Sequence, residues 1–177
     1  MTRVRGEQGF TLLDLLFVCG LIGVLSIIAL PKLLMAKQAA NAASAISSMR
    51  AITSAQLTFA LTCGGGFYAP DLVTLGVKPP GSPAAFISPD LTTANAVTKS
   101  GYVIQIGATP FAGAPGSCNG VAVGTAGQAY VAVADPTEPS NVRYFATNAN
   151  SQIWEHSLSL NGVMPEVGAP PIGHPIR

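Results

Sequence analysis

An apolar run near the N-terminus constrains this 177-residue chain more than any other feature. Residues 10–30 read FTLLDLLFVCGLIGVLSIIAL and carry a single charged side chain, that of Asp14. A helix of about 21 residues is about 30 Å long, which matches the hydrocarbon core of a bilayer. Arg3 and Arg5 precede the run. Basic residues on this side predict that the N-terminus stays in the cytoplasm and that the rest of the chain faces outward.

Two ordinary interpretations compete for this run, a cleaved secretory signal and a plain single-pass anchor. A secretory signal has an apolar core of about 7–15 residues and a small-x-small cleavage site. The present run is longer, and only a weak site, AKQA at residues 36–39, follows it. A plain anchor leaves Asp14 unexplained, because a carboxylate at the centre of a helix in lipid costs about 2.5–3.5 kcal/mol.

Asp14 has a functional explanation if the leader, residues 1–9, is removed by cleavage between Gly9 and Phe10. The cut would free an α-amino group on Phe10, about one helical turn before Asp14. In a stack of subunits, the amine of one chain can approach Asp14 of a neighbour. Desolvation offsets much of that attraction, so we expect the pair to set the register of the subunits rather than to add net stability.

The string GFTLLD, from Gly9 to Asp14, resembles the prepilin processing motif of type IV pilins and type II secretion pseudopilins. The basic leader, the apolar run and Pro31 near its end are part of the resemblance. It implies that a prepilin peptidase cuts after Gly9 and methylates the amine of Phe10. It also implies that Asp14 stands where the family nearly always has Glu, so the side chain here is one methylene shorter. In the family, Pro31 would mark where the helix kinks or melts; otherwise it marks the boundary between residues 10–31, in the membrane, and the exposed helix.

Residues 32–62 predict an amphipathic continuation of this helix, because they contain no Gly or Pro and their apolar positions recur at helical spacing. We expect this apolar stripe to pack against a sheet. The glycines at 64–66 are suited to end the helix. The stripe consists of Leu34, Ala42, Ala45, Ile46, Met49, Ile52, Ala55, Leu57 and Phe59.

The rest of the chain predicts an α+β fold, which the family resemblance specifies as a type IV pilin-like roll. Residues 63–100 are broken by Pro and Gly and predict a long connecting loop. Residues 101–160 predict an antiparallel sheet of about four strands on the helix, and residues 161–177 a Pro/Gly-rich tail on the surface or mobile. The predicted strands are Tyr102–Ile106, Ala129–Ala134, Val142–Thr147 and Gln152–His156.

Cys63 and Cys118 lie in the polar part of the chain and are the candidates for a disulfide. An even pair of cysteines forms a bridge in an oxidising compartment and stays as two free thiols in a reducing one. The apolar run argues for export of the polar part, and therefore for the bridge.

The sequence contains no constellation of residues that points to catalysis. His156 and His174 are the only histidines, and neither metal-ligand spacing nor a nucleophile elbow is present. We therefore expect no enzymatic activity and no cofactor. Calcium is the open alternative, because Asp90, Asp135 and Glu138 could supply oxygen ligands, although they form no EF-hand pattern.

A net charge of +1 offers no basic face for nucleic acid. Stacking of bases on the scattered aromatic residues is the alternative to their use in core packing. The expected partners are copies of the chain itself in a helical homopolymer, the prepilin peptidase, and the pilus or type II secretion assembly machinery.

The sequence thus predicts the structural subunit of a type IV pilus-like filament. We expect it to be stored in the bacterial inner membrane and then to become part of an extracellular polymer. Two alternatives remain, a pseudopilin acting as a periplasmic piston in type II secretion, and a membrane-anchored binding domain that never polymerises.

Overall fold

The computed structural model describes residues 11–176. One long helix comes first and a sheet follows it along the chain. The helices are α1 (Leu12–Thr62), α2 (Leu72–Gly76) and a 3-10 turn at Pro89–Leu91. The strands are β1 (Ala96–Lys99), β2 (Tyr102–Gly107), β3 (Val131–Pro136), β4 (Tyr144–Asn148), β5 (Ile153–His156) and β6 (His174–Pro175).

The sheet is an antiparallel meander in which each strand pairs with the next along the chain, in the order β1-β2-β3-β4-β5-β6. The four predicted strands are present as β2 to β5, with bounds within two residues of those expected. The expected count of about four is nevertheless wrong, because the sheet has six strands. Together with α1 it forms an α+β fold.

The two additional strands lie in segments predicted to be loop and tail. β1 joins β2 through a two-residue turn at Ser100 and Gly101, both with positive φ, of 49° and 74°. That geometry suits the right-handed twist of a tight hairpin. β6 has two residues, one of them Pro175, and pairs with β5 in the register Glu155–His174 and Trp154–Pro175. Neither strand is long enough to leave an alternating pattern in the sequence.

Contacts divide the chain into two units, residues 1–39 and 40–177. In the second unit, one face of α1 packs on the inner face of the sheet, where Tyr102, Ile104 and Phe145 are fully buried. The helix contributes a stripe of buried residues, Ala42, Ala45, Met49, Ile52, Ala55 and Phe59, all expected from the sequence.

Two members of the predicted stripe do not belong to it. Leu57 is 51% exposed, because the buried face follows residues 52, 56 and 59 and position 57 is turned about 100° from 56. Leu34 lies in the first unit and is 61% exposed.

The buried face instead includes a polar residue, Gln56, which is completely inaccessible to solvent. Its side-chain amide donates to the carbonyl of Ala69 (2.9 Å), and its side-chain carbonyl accepts from the N–H of Ala69 (2.8 Å). The connecting segment is therefore anchored to the helix by a reciprocal pair of buried hydrogen bonds. It is also capped locally, because the Asp71 side chain accepts from the N–H of Thr74 at the start of α2.

The tail covers part of the outer face of the sheet. Leu160 and Met164 are buried in a second, smaller core against Val133 and Ala146, with Trp154 packed beside them. Glu166 accepts hydrogen bonds from the backbone and hydroxyl of Thr109. Residues 161–176 thus combine exposed positions with a buried anchor and an edge strand.

Candidate assembly surface on the N-terminal helix

The first part of α1 presents apolar side chains on every side. Each residue from 11 to 37 is exposed, and the large apolar side chains among them range from 42% exposure at Val18 to 81% at Leu12. A helix that is apolar all round, rather than along one stripe, is suited to lipid or to the centre of a helical bundle. Among the described residues, α1 is the one helix long and apolar enough to cross a membrane.

The Asp14 side chain caps the start of α1. Its Oδ2 accepts hydrogen bonds from the backbone N–H (3.2 Å) and the hydroxyl (2.5 Å) of Thr11, and the Thr11 hydroxyl oxygen accepts from the N–H of Asp14 (3.2 Å). This is a reciprocal capping box with Asp in the third helical position. A carboxylate there also interacts favourably with the helix dipole.

The other carboxylate oxygen of Asp14, Oδ1, accepts no hydrogen bond from residues 11–176. Oδ1 of this exposed carboxylate is therefore available to a donor from another molecule, while Oδ2 caps the helix. This capping role of Asp14 was not predicted from the sequence. The pattern Thr-x-x-acid before an apolar run is the signal by which it could have been found.

Pro31 lies inside α1, and the helix continues through it to Thr62. Because proline has no N–H, the carbonyl of Ile27 lacks its usual helical donor. A helix without that bond is easier to bend at this point. Near Gly20 and Gly23, nothing comes within 4 Å of where a Cβ would lie, so close approach by another helix is open at both positions.

The predicted site residues belong to different parts of the chain. Gly9 and Phe10, the expected cleavage and methylation positions, lie outside the described residues. Asp14 and Pro31 lie on α1 in the first unit.

Cys63 and Cys118 lie in the second unit and form a disulfide, with their Cα atoms 4.9 Å apart across a sequence separation of 55. The N–H of Cys118 also donates to the carbonyl of Cys63 (3.1 Å). The bridge joins the residue directly after α1 to the loop between β2 and β3.

The carboxylates considered as calcium ligands do not share a site. Two of them have separate partners within the chain. Asp90 forms an ion pair with Lys99 (2.6 Å), and this hydrogen bond lowers the pKa of Asp90. Asp135 Oδ2 accepts from the hydroxyl of Ser159 (2.7 Å). Within residues 11–176, no group of three His, Cys, Asp or Glu side chains is placed to hold a metal ion.

The two histidines have separate surroundings. His156 Nδ1 accepts a hydrogen bond from the N–H of Leu158 (3.0 Å), and His174 lies in the edge strand β6. Neither histidine lies in a metal-binding group formed by residues 11–176.

Among the described residues, the most extensive feature that points to a function is the apolar surface of α1. Comparisons with protein-family models, curated proteins and solved structures find no match to this chain.

Proposed function

We propose that the chain is a pilin-like structural subunit of an extracellular filament, with the fold of a type IV pilin. The precursor waits in the bacterial inner membrane, loses residues 1–9, and polymerises through the apolar part of α1. One observation carries the proposal, namely that residues 11–176 leave the apolar part of α1 exposed, and that this part follows directly on the Gly9–Phe10 motif in the sequence.

The apolar surface by itself does not select a polymer, because lipid chains and neighbouring helices are similarly apolar. Exchange of lipid for helices is therefore nearly neutral in hydrophobic terms, and specificity comes from close packing and polar contacts. Gly20 and Gly23 allow close packing, and the open oxygen of Asp14 is available to the amine of Phe10 of a neighbouring copy.

The disulfide and the proline- and glycine-rich segment 63–100 favour a pilus subunit over a type II secretion piston. The two alternative functions are a piston of type II secretion and an anchored binding domain that does not polymerise. In either polymer, the prepilin peptidase and the assembly machinery act on the chain.

The test is expression of the protein in a host with a pilus assembly system, followed by electron microscopy of surface filaments and mass spectrometry of the subunit. We expect filaments whose subunit begins at Phe10 and carries one N-terminal methyl group. A mature subunit that still begins at Met1, or surface filaments that do not contain this protein, would refute the proposal.

Variants at position 14 separate the charge from the helix cap. Asp14→Asn keeps a side-chain oxygen for Thr11 but removes the charge, and Asp14→Ala removes both. We expect each variant to enter the membrane at least as well as the parent, because a charge has been removed from an apolar helix, and to form few or no filaments. Normal filament formation by Asp14→Asn would exclude a charge pair with the amine.

A further inference from the structure

Almost every acidic side chain among the described residues of the second unit is engaged within its own chain. The acidic side chains that accept a hydrogen bond there are Asp71, Asp90, Asp135, Glu155 and Glu166. Glu138 is the exception, since its carboxylate has neither a hydrogen bond nor an ion pair with any residue from 11 to 176. A second copy of this chain therefore has one unengaged carboxylate to offer from the described part of this unit.

Glu138 lies at the tip of the turn between β3 and β4, where residues 137–140 are all exposed. The turn is held at its base, because the N–H and the hydroxyl of Thr137 both donate to the carbonyl of Gly101 (2.9 and 3.1 Å). It is closed by a bond from the N–H of Asn141 to the carbonyl of Glu138 (3.0 Å), and Pro139 restricts the backbone between them. A protruding charge on a braced turn loses little conformational entropy when it binds.

The same unit contains a cavity of about 440 Å³ with an unpaired cation in its wall. The guanidinium of Arg143, which lies in this wall, is paired with Glu155 and donates two hydrogen bonds to its carboxylate (2.6 and 3.0 Å). Arg50, which projects from α1, has no hydrogen bond or ion pair with the described residues. The rest of the lining consists of Ile46, Pro175 and Ile176, which are apolar, and the imidazole of His174. The cavity therefore carries net positive charge beside apolar surface.

We propose that Glu138 of one copy enters this cavity on the next copy and pairs with Arg50. A planar guanidinium suits a carboxylate, which it can bind through two parallel hydrogen bonds. The aliphatic wall excludes some water and so strengthens the attraction relative to a fully exposed pair. This contact rests on the proposed function and adds to it a second junction, made by the second unit of the chain rather than by the apolar helix.

The donor and the acceptor of this contact are different surfaces of the chain. In a pair of copies joined by such a head-to-tail contact, one copy still has an unused Glu138 turn and the other an unused cavity. It therefore repeats into an open array when the rotation between copies does not close into a ring, as a filament requires.

The test uses the full-length chain in the filament-forming host and three charge reversals. Arg50→Glu and Glu138→Arg each place like charges together, and the double variant exchanges the two charges. Lys78→Glu is the matched control, because Lys78 is an exposed lysine in the same unit that forms no bond with the described residues. Filament mass is measured by shearing and sedimentation, and is normalised to the disulfide-bonded subunit present in the membrane.

We expect each single reversal to lower the normalised filament mass by about fivefold, the factor at the upper end of the range for loss of a surface pair of good geometry. The double variant should recover most of that loss, and Lys78→Glu should assemble like the parent. Single variants that assemble as well as Lys78→Glu would overturn the contact, and so would a double variant no better than the singles.

Cross-linking separates failure of the contact from failure of the filament proposal. If the parent forms no filaments, the proposed function is wrong. Glu138→Cys and Arg50→Cys, expressed together on separate chains in the membrane, then decide the contact alone. A disulfide between copies would support it, and its absence, with Lys78→Cys as the reference partner, would overturn it.

Discussion

Replacement of Gln56 by leucine should destabilise the second unit more than the same replacement of an exposed glutamine. The Gln56 side chain is fully buried, and both ends of its amide bond to the backbone of Ala69, which is itself fully buried. Leucine is similar in size to glutamine, so the substitution leaves little cavity. It does leave the N–H and the carbonyl of Ala69 without partners in a dry core.

The magnitude follows from those two orphaned groups. A buried donor or acceptor left without a partner costs about 1–3 kcal/mol. Two such groups give a loss of about 2–6 kcal/mol in the free energy of unfolding, less whatever the new leucine side chain regains by being apolar. Domains of ordinary stability have about 5–15 kcal/mol in total, so the variant should be visibly weakened.

Urea unfolding of the detergent-solubilised protein measures this loss through the fluorescence of Trp154, the only tryptophan, which packs in the outer core of the second unit. The matched control is Gln128→Leu, because Gln128 is exposed and forms no side-chain hydrogen bond with the described residues. The two variants should show the same dependence on urea but different midpoints. A loss for Gln56→Leu no larger than that of Gln128→Leu would refute the argument from orphaned polar groups.

Two further predictions concern the covalent and electrostatic links of the second unit. Replacing both Cys63 and Cys118 by Ser should lower the free energy of unfolding by about 4 kcal/mol, the entropic value for a loop of 55 residues, and a reductant should produce the same shift in the parent but none in the variant. The hydrogen bond from Arg143 lowers the pKa of Glu155 below its ordinary 4.5, so the pair stabilises the fold above that pH and the contribution disappears as the pH falls through the lowered value. The urea midpoint should therefore drop on acidification less steeply in Glu155→Gln than in the parent; equal slopes would contradict this assignment.

The apolar stripe of residues 42–59 was predictable because it repeats with the period of a helix. Its neighbours show where periodicity stops being sufficient. Gln56 looks solvent-facing from its chemistry, yet it is buried because Ala69 supplies partners for both ends of its amide. Leu57 looks like a core residue, yet the face chosen by the sheet leaves it half exposed. In both cases the partner that decides the outcome lies elsewhere in the chain.

The strands show the same division. The four central strands carry enough β-branched and aromatic residues between turn signals to be located within two residues of their bounds. β1 and β6 are too short to produce a pattern, and each forms because an existing edge strand offers it hydrogen bonds. Strand count is therefore a property of the assembled sheet.

The sequence by itself determined that the N-terminal segment is long and apolar enough to cross a membrane as a helix, because the length of an apolar run and the place of a charge within it are local quantities. It also singled out Asp14, Pro31, Cys63 and Cys118. Only the tertiary structure decided that Asp14 caps its own helix with one oxygen and leaves the other open, and that Glu138 and Arg50 have no partner among the described residues. Whether a polar group is satisfied depends on atoms brought near it by folding, and spacing along the chain does not contain that information.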